Sequence, residues 1–128
     1  MFYEPKNGHP FKIDPYKALV FPRPIGWISS LSKQGIPNLA PYSYFNAVAD
    51  EPPQVMFCSN GDSAYGGFKD SLSNILSTKE FVVNFATSTT RDAMNISSSN
   101  YKPNEDEFVA ARLKKRKSKL VKVPSVSD

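Results

Sequence analysis

The sequence predicts a mainly β domain with short peripheral helices. Three observations carry this. Apolar and aromatic residues gather in three short runs, 26–31, 38–46 and 54–59, with the β-branched and aromatic enrichment of strands. Turn formers separate them: Lys33-Gln34-Gly35 after the first and Glu51-Pro52-Pro53 after the second. The chain also holds eleven prolines in 128 residues, above the average of about 5%, which marks many turns.

Taken in order, residues 1–10 are a lead-in without periodicity. Asp14-Pro15 starts a helix, because Asp can cap and Pro suits the first helical position. Residues 16–20 give a turn or two, and Phe21-Pro22 ends it. The first strand collects Trp27 and Ile28, with Ile25 just before it; the second collects Tyr42, Tyr44 and Phe45; the third collects Val55, Met56 and Phe57. Pro52 and Pro53 interrupt the series, since proline removes a ladder donor and restricts the residue before it. Ser43, Asn46 and Ser59 stand out as polar residues at positions where a packed sheet favours apolar ones.

Residues 60–67, NGDSAYGG, form a glycine-rich loop. Gly61 and Gly66 match the first half of a P-loop, but Gly67 stands where its lysine is required, and no G-x-G-x-x-G exists. Residues 69–78 read as a helix whose apolar stripe is Phe68, Leu72, Ile75 and Leu76. Lys69 and Asp70 fall at its start. A helix N-terminus presents unpaired N–H groups and about half a positive charge, so Lys69 there makes a phosphate cradle or is simply a solvated lysine. A strand follows over 80–86, a helix over 89–96, and a helix over 104–111 capped by Asn104. Residues 120–123 suit a last strand.

Length sets one domain, 1–128, with enough chain for one core. Hydrophobic content of 40% and aromatic content of 12% argue against wholesale disorder. No apolar run approaches the roughly 18 residues of a membrane span, and the first twenty residues show no secretory pattern; a cytoplasmic protein is expected. The net charge of +4 is uneven. Residues 1–104 hold nine Lys/Arg against eight Asp/Glu, and residues 105–128 hold seven against four. The excess belongs to a basic tail, 112–128, expected to be disordered. Its run KKRKSK admits nucleic-acid contact, but charge confined to a tail makes a solvated end the plainer reading, and no nucleic-acid partner is expected. Cys58 and His9 are each alone, which excludes a disulfide, a C-x-x-C pair and a usual zinc site. Cys58, inside a strand, is expected to be a buried inert thiol.

The order PRPIGWISS, PNLAPYSYFNAV, DEPPQVMFCS and KDSLSNILSTKEFVVNF resembles the flavin reductase-like family of FMN-binding split-barrel proteins, with weaker likeness in NEDEF and SKLVKVPSV. The resemblance implies a Greek-key split β-barrel, incomplete at the C-terminal end because members run further. It implies an FMN-binding oxidoreductase, a homodimer, that passes hydride from NAD(P)H to flavin. The alternatives are an FMN-binding electron carrier without nicotinamide chemistry, or an inactive shortened relative. By the same resemblance the cofactor residues are Pro41, Tyr42 and Ser43 along the ring, Asn46 at its polar edge, Ser59 and Asn60 at the ribityl and phosphate groups, and Lys69 at the phosphate. Arg23 and Trp27 border the site, although core packing is the stronger reading for Trp27 and Phe45. No catalytic acid or base is implied, because hydride reaches the flavin directly.

Overall fold

The computed structural model describes residues 2–127; Met1 and Asp128 lie outside the described residues. The molecule is built around β1, Gly26–Leu31. The turn over 32–36 reverses the chain: Ser32 N–H donates to Ile36 O at 2.9 Å and Gly35 N–H to Ser32 O at 3.0 Å. Gly35 takes φ +83°, a conformation open to glycine at no cost. β2, Pro37–Tyr42, then pairs antiparallel with β1, from Leu31 opposite Pro37 to Gly26 opposite Tyr42. On its other side β1 pairs antiparallel with β5, Val82–Asn84, placing Trp27 opposite Asn84. The mainly β expectation holds, with short helices outside the sheets.

As the central strand, β1 is covered on both faces. Trp27, Leu39, Phe108 and Val126 form the core, with Met94 and Leu113 against it. The Trp27 indole N–H donates to Ser97 Oγ at 2.9 Å. Polar residues survive in this strand because each finds a partner. Ser29 Oγ donates to Pro124 O at 2.7 Å, and Ser30 Oγ accepts from Asn74 Nδ2 at 3.1 Å. Asn84 Nδ2 donates to Trp27 O and Ser29 Oγ, while its Oδ1 accepts from Val126 N–H at 2.8 Å. One amide thus ties three strands.

The run 38–46 is not one strand. β2 ends at Tyr42, the chain turns at Ser43-Tyr44, and β3, Phe45–Asp50, pairs instead with β4, Pro53–Phe57. The cause is local. The β1–β2 ladder runs out at Gly26, and Phe45 folds its ring onto that glycine, where a Cβ would sit 2.5 Å from the ring. Most of the β3–β4 hairpin is exposed. Cys58, just past β4, is therefore exposed rather than buried.

The helices follow their caps. α1, Pro15–Leu19, starts at Asp14, whose carboxylate accepts from Tyr16 N–H at 3.0 Å. α2, Asp70–Thr78, buries Ser71 and Asn74. Of the expected apolar stripe, Phe68 and Leu76 are exposed and Leu72 and Ile75 are only half-buried. The reason is the surface beneath it: Ser30 and Asn38 of the sheet offer hydrogen bonds to Asn74 and Ser71, which the leucines could not satisfy. α3 is Arg91–Ile96. α4, Glu107–Ala110, is capped by Asp106, which accepts from Phe108 N–H at 3.0 Å; Asn104 instead takes a left-handed turn at φ 72°.

In place of a disordered tail, residues 112–127 carry a small antiparallel pair. β6, Lys114–Arg116, opposes β7, Ser125–Ser127. The last strand therefore lies at 125–127 and not at 120–123, where Leu120 faces solvent. Val126 is its anchor, buried against Trp27. Lys115 is held between the Asp106 carboxylate and the Phe108 ring. Among the described residues no helix is long and apolar enough to cross a membrane.

Candidate functional site

A cavity of about 140 Å³ opens where β2, the start of α2 and α4 meet. β2 contributes Pro41 and Tyr42, α2 and its cap contribute Lys69, Asp70 and Ser71, and α4 contributes Glu107. Segments 62–65 and 97–101 close its sides. Lys69 is the residue that caps α2, and it gives the helix no side-chain hydrogen bond. Lys69 and the first turn of α2 both border the cavity, and a helix start with a cation beside it favours an anion.

Two carboxyls oppose that charge. Asp70 opens α2, and burial raises its pKa. Glu107 is buried, and its pKa rises to about 7. Burial is the main cause; hydrogen bonds from the Glu107 and Leu39 backbone act against it, and the charges of Asp70 and Asp106 add to it. Glu107 Oε2 accepts from Leu39 N–H at 3.0 Å, so α4 is fastened to β2 through a carboxyl. Near neutrality this group is part protonated, which lowers the negative charge facing Lys69. Burial also raises the Tyr42 hydroxyl, offset in part by the Ser71 and Ser59 hydroxyls beside it. Beyond the Tyr42 hydroxyl, the buried Ser59 Oγ has no hydrogen-bond partner among the described residues.

Of the residues singled out from sequence, Pro41, Tyr42 and Lys69 share this cavity. Ser43, Asn46, Ser59 and Asn60 lie outside its lining. Ser43 sits in the β2–β3 turn and accepts from Arg23 Nε at 3.3 Å. Arg23 also donates to Lys17 O and Val20 O and stacks over Tyr44, so it ties α1 to that turn. Asn46 is exposed on β3 opposite Met56, and Asn60 is exposed in the loop after β4. Trp27 is a core residue, as packing predicts. Sequence reasoning missed Asn38, Ser71 and Glu107. Glu107 gave a signal of a kind: an acid wedged against the core residue Phe108 instead of on a polar face.

A model of the flavin reductase like domain matches residues 18–128. This chain belongs to the flavin reductase like domain family. An uncharacterized protein of Aquifex aeolicus is 46% identical over 112 residues, which cover 87% of this chain and 56% of that protein. The crystal structure of nitrilotriacetate monooxygenase component B from Bacillus cereus superposes with a TM-score of 0.85 at 35% identity, over 98% of this chain and 62% of that one. A split-barrel structure from Shewanella frigidimarina shares the fold with a TM-score of 0.70 at 19% identity, over 83% of this chain and 50% of that one. The flavin reductase-like chain is thus a split-barrel domain, and it spans about half the length of the relatives it matches.

Proposed function

We propose that this flavin reductase-like domain binds FMN and serves NAD(P)H-dependent flavin reduction as a homodimer. One observation carries the reading: Lys69 and the uncapped start of α2 open onto the same cavity as Pro41 and Tyr42. The donor set suits a phosphate, with a cation, free backbone N–H groups and the Ser71 hydroxyl together. The size suits only part of the cofactor. About 140 Å³ is well below the roughly 300–1,000 Å³ of pockets that enclose whole ligands. The cavity would hold the phosphate end and leave the ring to surfaces outside it. The flavin, when bound, supplies the hydride-accepting centre. The chain's own residues then bind and orient: Lys69 and Ser71 at the phosphate, Pro41 and Tyr42 along the wall. The exposed valines and methionine of the β3–β4 hairpin favour a second copy as the cover for that face.

The test is spectroscopic. Purified chain supplied with FMN should retain flavin absorbance through gel filtration, and adding NADH or NADPH should bleach it. Chain that stays colourless after FMN is supplied overturns the reading. Retained flavin that NAD(P)H leaves unbleached, while a partner reductase bleaches it, assigns the domain to electron carriage instead.

A further inference from the structure

We propose that the loop between β6 and β7 is a docking surface for an anionic lipid bilayer, with Leu120 as its apolar tip and the lysines around it as its headgroup contacts. None of these residues lines the cavity, so the surface stands apart from the flavin site.

The loop 117–124 is pinned at several points. β6 and β7 pair beneath it. Ser118 Oγ donates to Val123 O at 2.6 Å, and the Val123 side chain is fully buried. Lys122 N–H donates to Glu80 Oε2 at 3.1 Å. Arg116 Nε donates to Ser125 Oγ at 3.3 Å across the base of the loop. A loop held in this way keeps Leu120 out. It is 96% exposed, more than any other large apolar side chain among the described residues.

Cations without counter-charges accompany that tip. Lys117, Lys119 and Lys122 lie on the loop and are exposed, as are Lys114 and Arg116 of β6. Lys115 is paired with Asp106, and alternation along the strand puts Lys114 and Arg116 on the opposite face from it. Among the described residues none of the other five has an ion pair. Glu80 reaches the loop but binds its backbone. Cations this close in sequence repel one another, and a leucine held in water keeps its apolar surface hydrated. Both costs fall when the loop meets an anionic surface with an apolar interior.

A lipid surface fits this pairing better than a protein or a nucleic acid. One exposed leucine is ordinary by itself. Protein interfaces are depleted in lysine and carry an apolar core, which a single leucine does not supply. Nucleic acids answer cations with phosphates, but their single strands stack on aromatic side chains, and residues 114–124 contain none. An anionic bilayer offers both halves in one place: headgroup charge for Lys and Arg, and acyl chains just beneath for the tip. Binding of this kind is peripheral, and salt weakens it.

The experiment is co-sedimentation of the full chain with phosphatidylcholine vesicles, with and without about a third phosphatidylglycerol, at about 0.1 M and about 0.5 M salt. The chain should bind only the anionic vesicles and release them at the higher salt. Each cation near the surface contributes about five-fold in affinity, so the triple variant Lys117→Gln, Lys119→Gln, Lys122→Gln should bind about 100-fold more weakly. Leu120→Ser should weaken binding several-fold and leave its salt dependence in place. Leu120→Trp reports on the tip directly: its emission should shift to the blue on anionic vesicles, against a constant background from the buried Trp27. Equal binding to both kinds of vesicle, binding to neither, or anionic-vesicle binding without that blue shift overturns the proposal. Tighter binding to duplex DNA or to polyglutamate than to anionic vesicles also overturns it, and assigns the loop to a nucleic-acid or a protein partner.

Discussion

The β1–β2–β5 sheet and the β3–β4 hairpin adjoin in sequence and are opposites in solvation. Both are antiparallel and both carry aromatic and β-branched residues. In β1 the residues from Gly26 to Ser30 are all buried, and its serines bond to other elements. In the hairpin nearly every residue is exposed, Val48 and Met56 by about half. The difference lies in what stands opposite. β1 has a helix on one face and the tail strands on the other. The hairpin touches the rest of the molecule chiefly through Phe45 against Gly26 and Phe57 against Tyr42 and Phe81. A strand's own sequence sets what it can bury, and its neighbours set whether it does.

The comparison breaks most visibly at its buried end. Phe108→Ala removes the ring at the centre of the core and should cost about 3–5 kcal/mol, read as a fall in the denaturant midpoint. The Glu107 carboxyl should act next. Its pKa stands at about 7 in the folded chain against an ordinary value of 4.5. The folded state therefore holds the proton more tightly, so stability is highest below about 4.5, falls as pH rises and levels off above about 7. The total is about 3 kcal/mol. Denaturant melts across that range should show the slope, and Glu107→Gln should remove most of it. Asp70, shifted in the same direction by burial, leaves the remainder.

The junction between the two regions is Gly26. Gly26→Ala places a methyl against the Phe45 ring and should cost about 1–3 kcal/mol. The double variant with Phe45→Ala should recover part of that loss; independent, additive losses would show that the junction is not a packing contact. The hairpin itself should respond least. Met56→Ser, at a half-exposed position, should change monomer stability by less than about 0.5 kcal/mol. A larger loss in a concentration-dependent melt would show that a second copy covers this face.

Much of this is readable in the sequence itself. The Asp14 cap, the turn at Gly35 and the break at Pro52-Pro53 were legible because each depends on a few adjacent residues. So was Lys69 at the head of α2. The division of 38–46 into two strands was not, because it depends on where β1 runs out of partners. Nor was the inward face of α2: periodicity chose Phe68, Leu72, Ile75 and Leu76, while the sheet beneath, with Ser30 and Asn38, buries Ser71 and Asn74.

Local chemistry along the chain determined the mainly β character, the caps and turns, and the series of motifs that marks the family. Tertiary structure alone decided that Glu107, Asn38 and Ser71 meet, and that four of seven expected cofactor residues stand outside the cavity. The physical reason is range. Caps and turns are fixed by neighbours in sequence, whereas the burial that raises the Glu107 pKa, and partners such as Leu39 and Asn38, come from segments some 70 residues away.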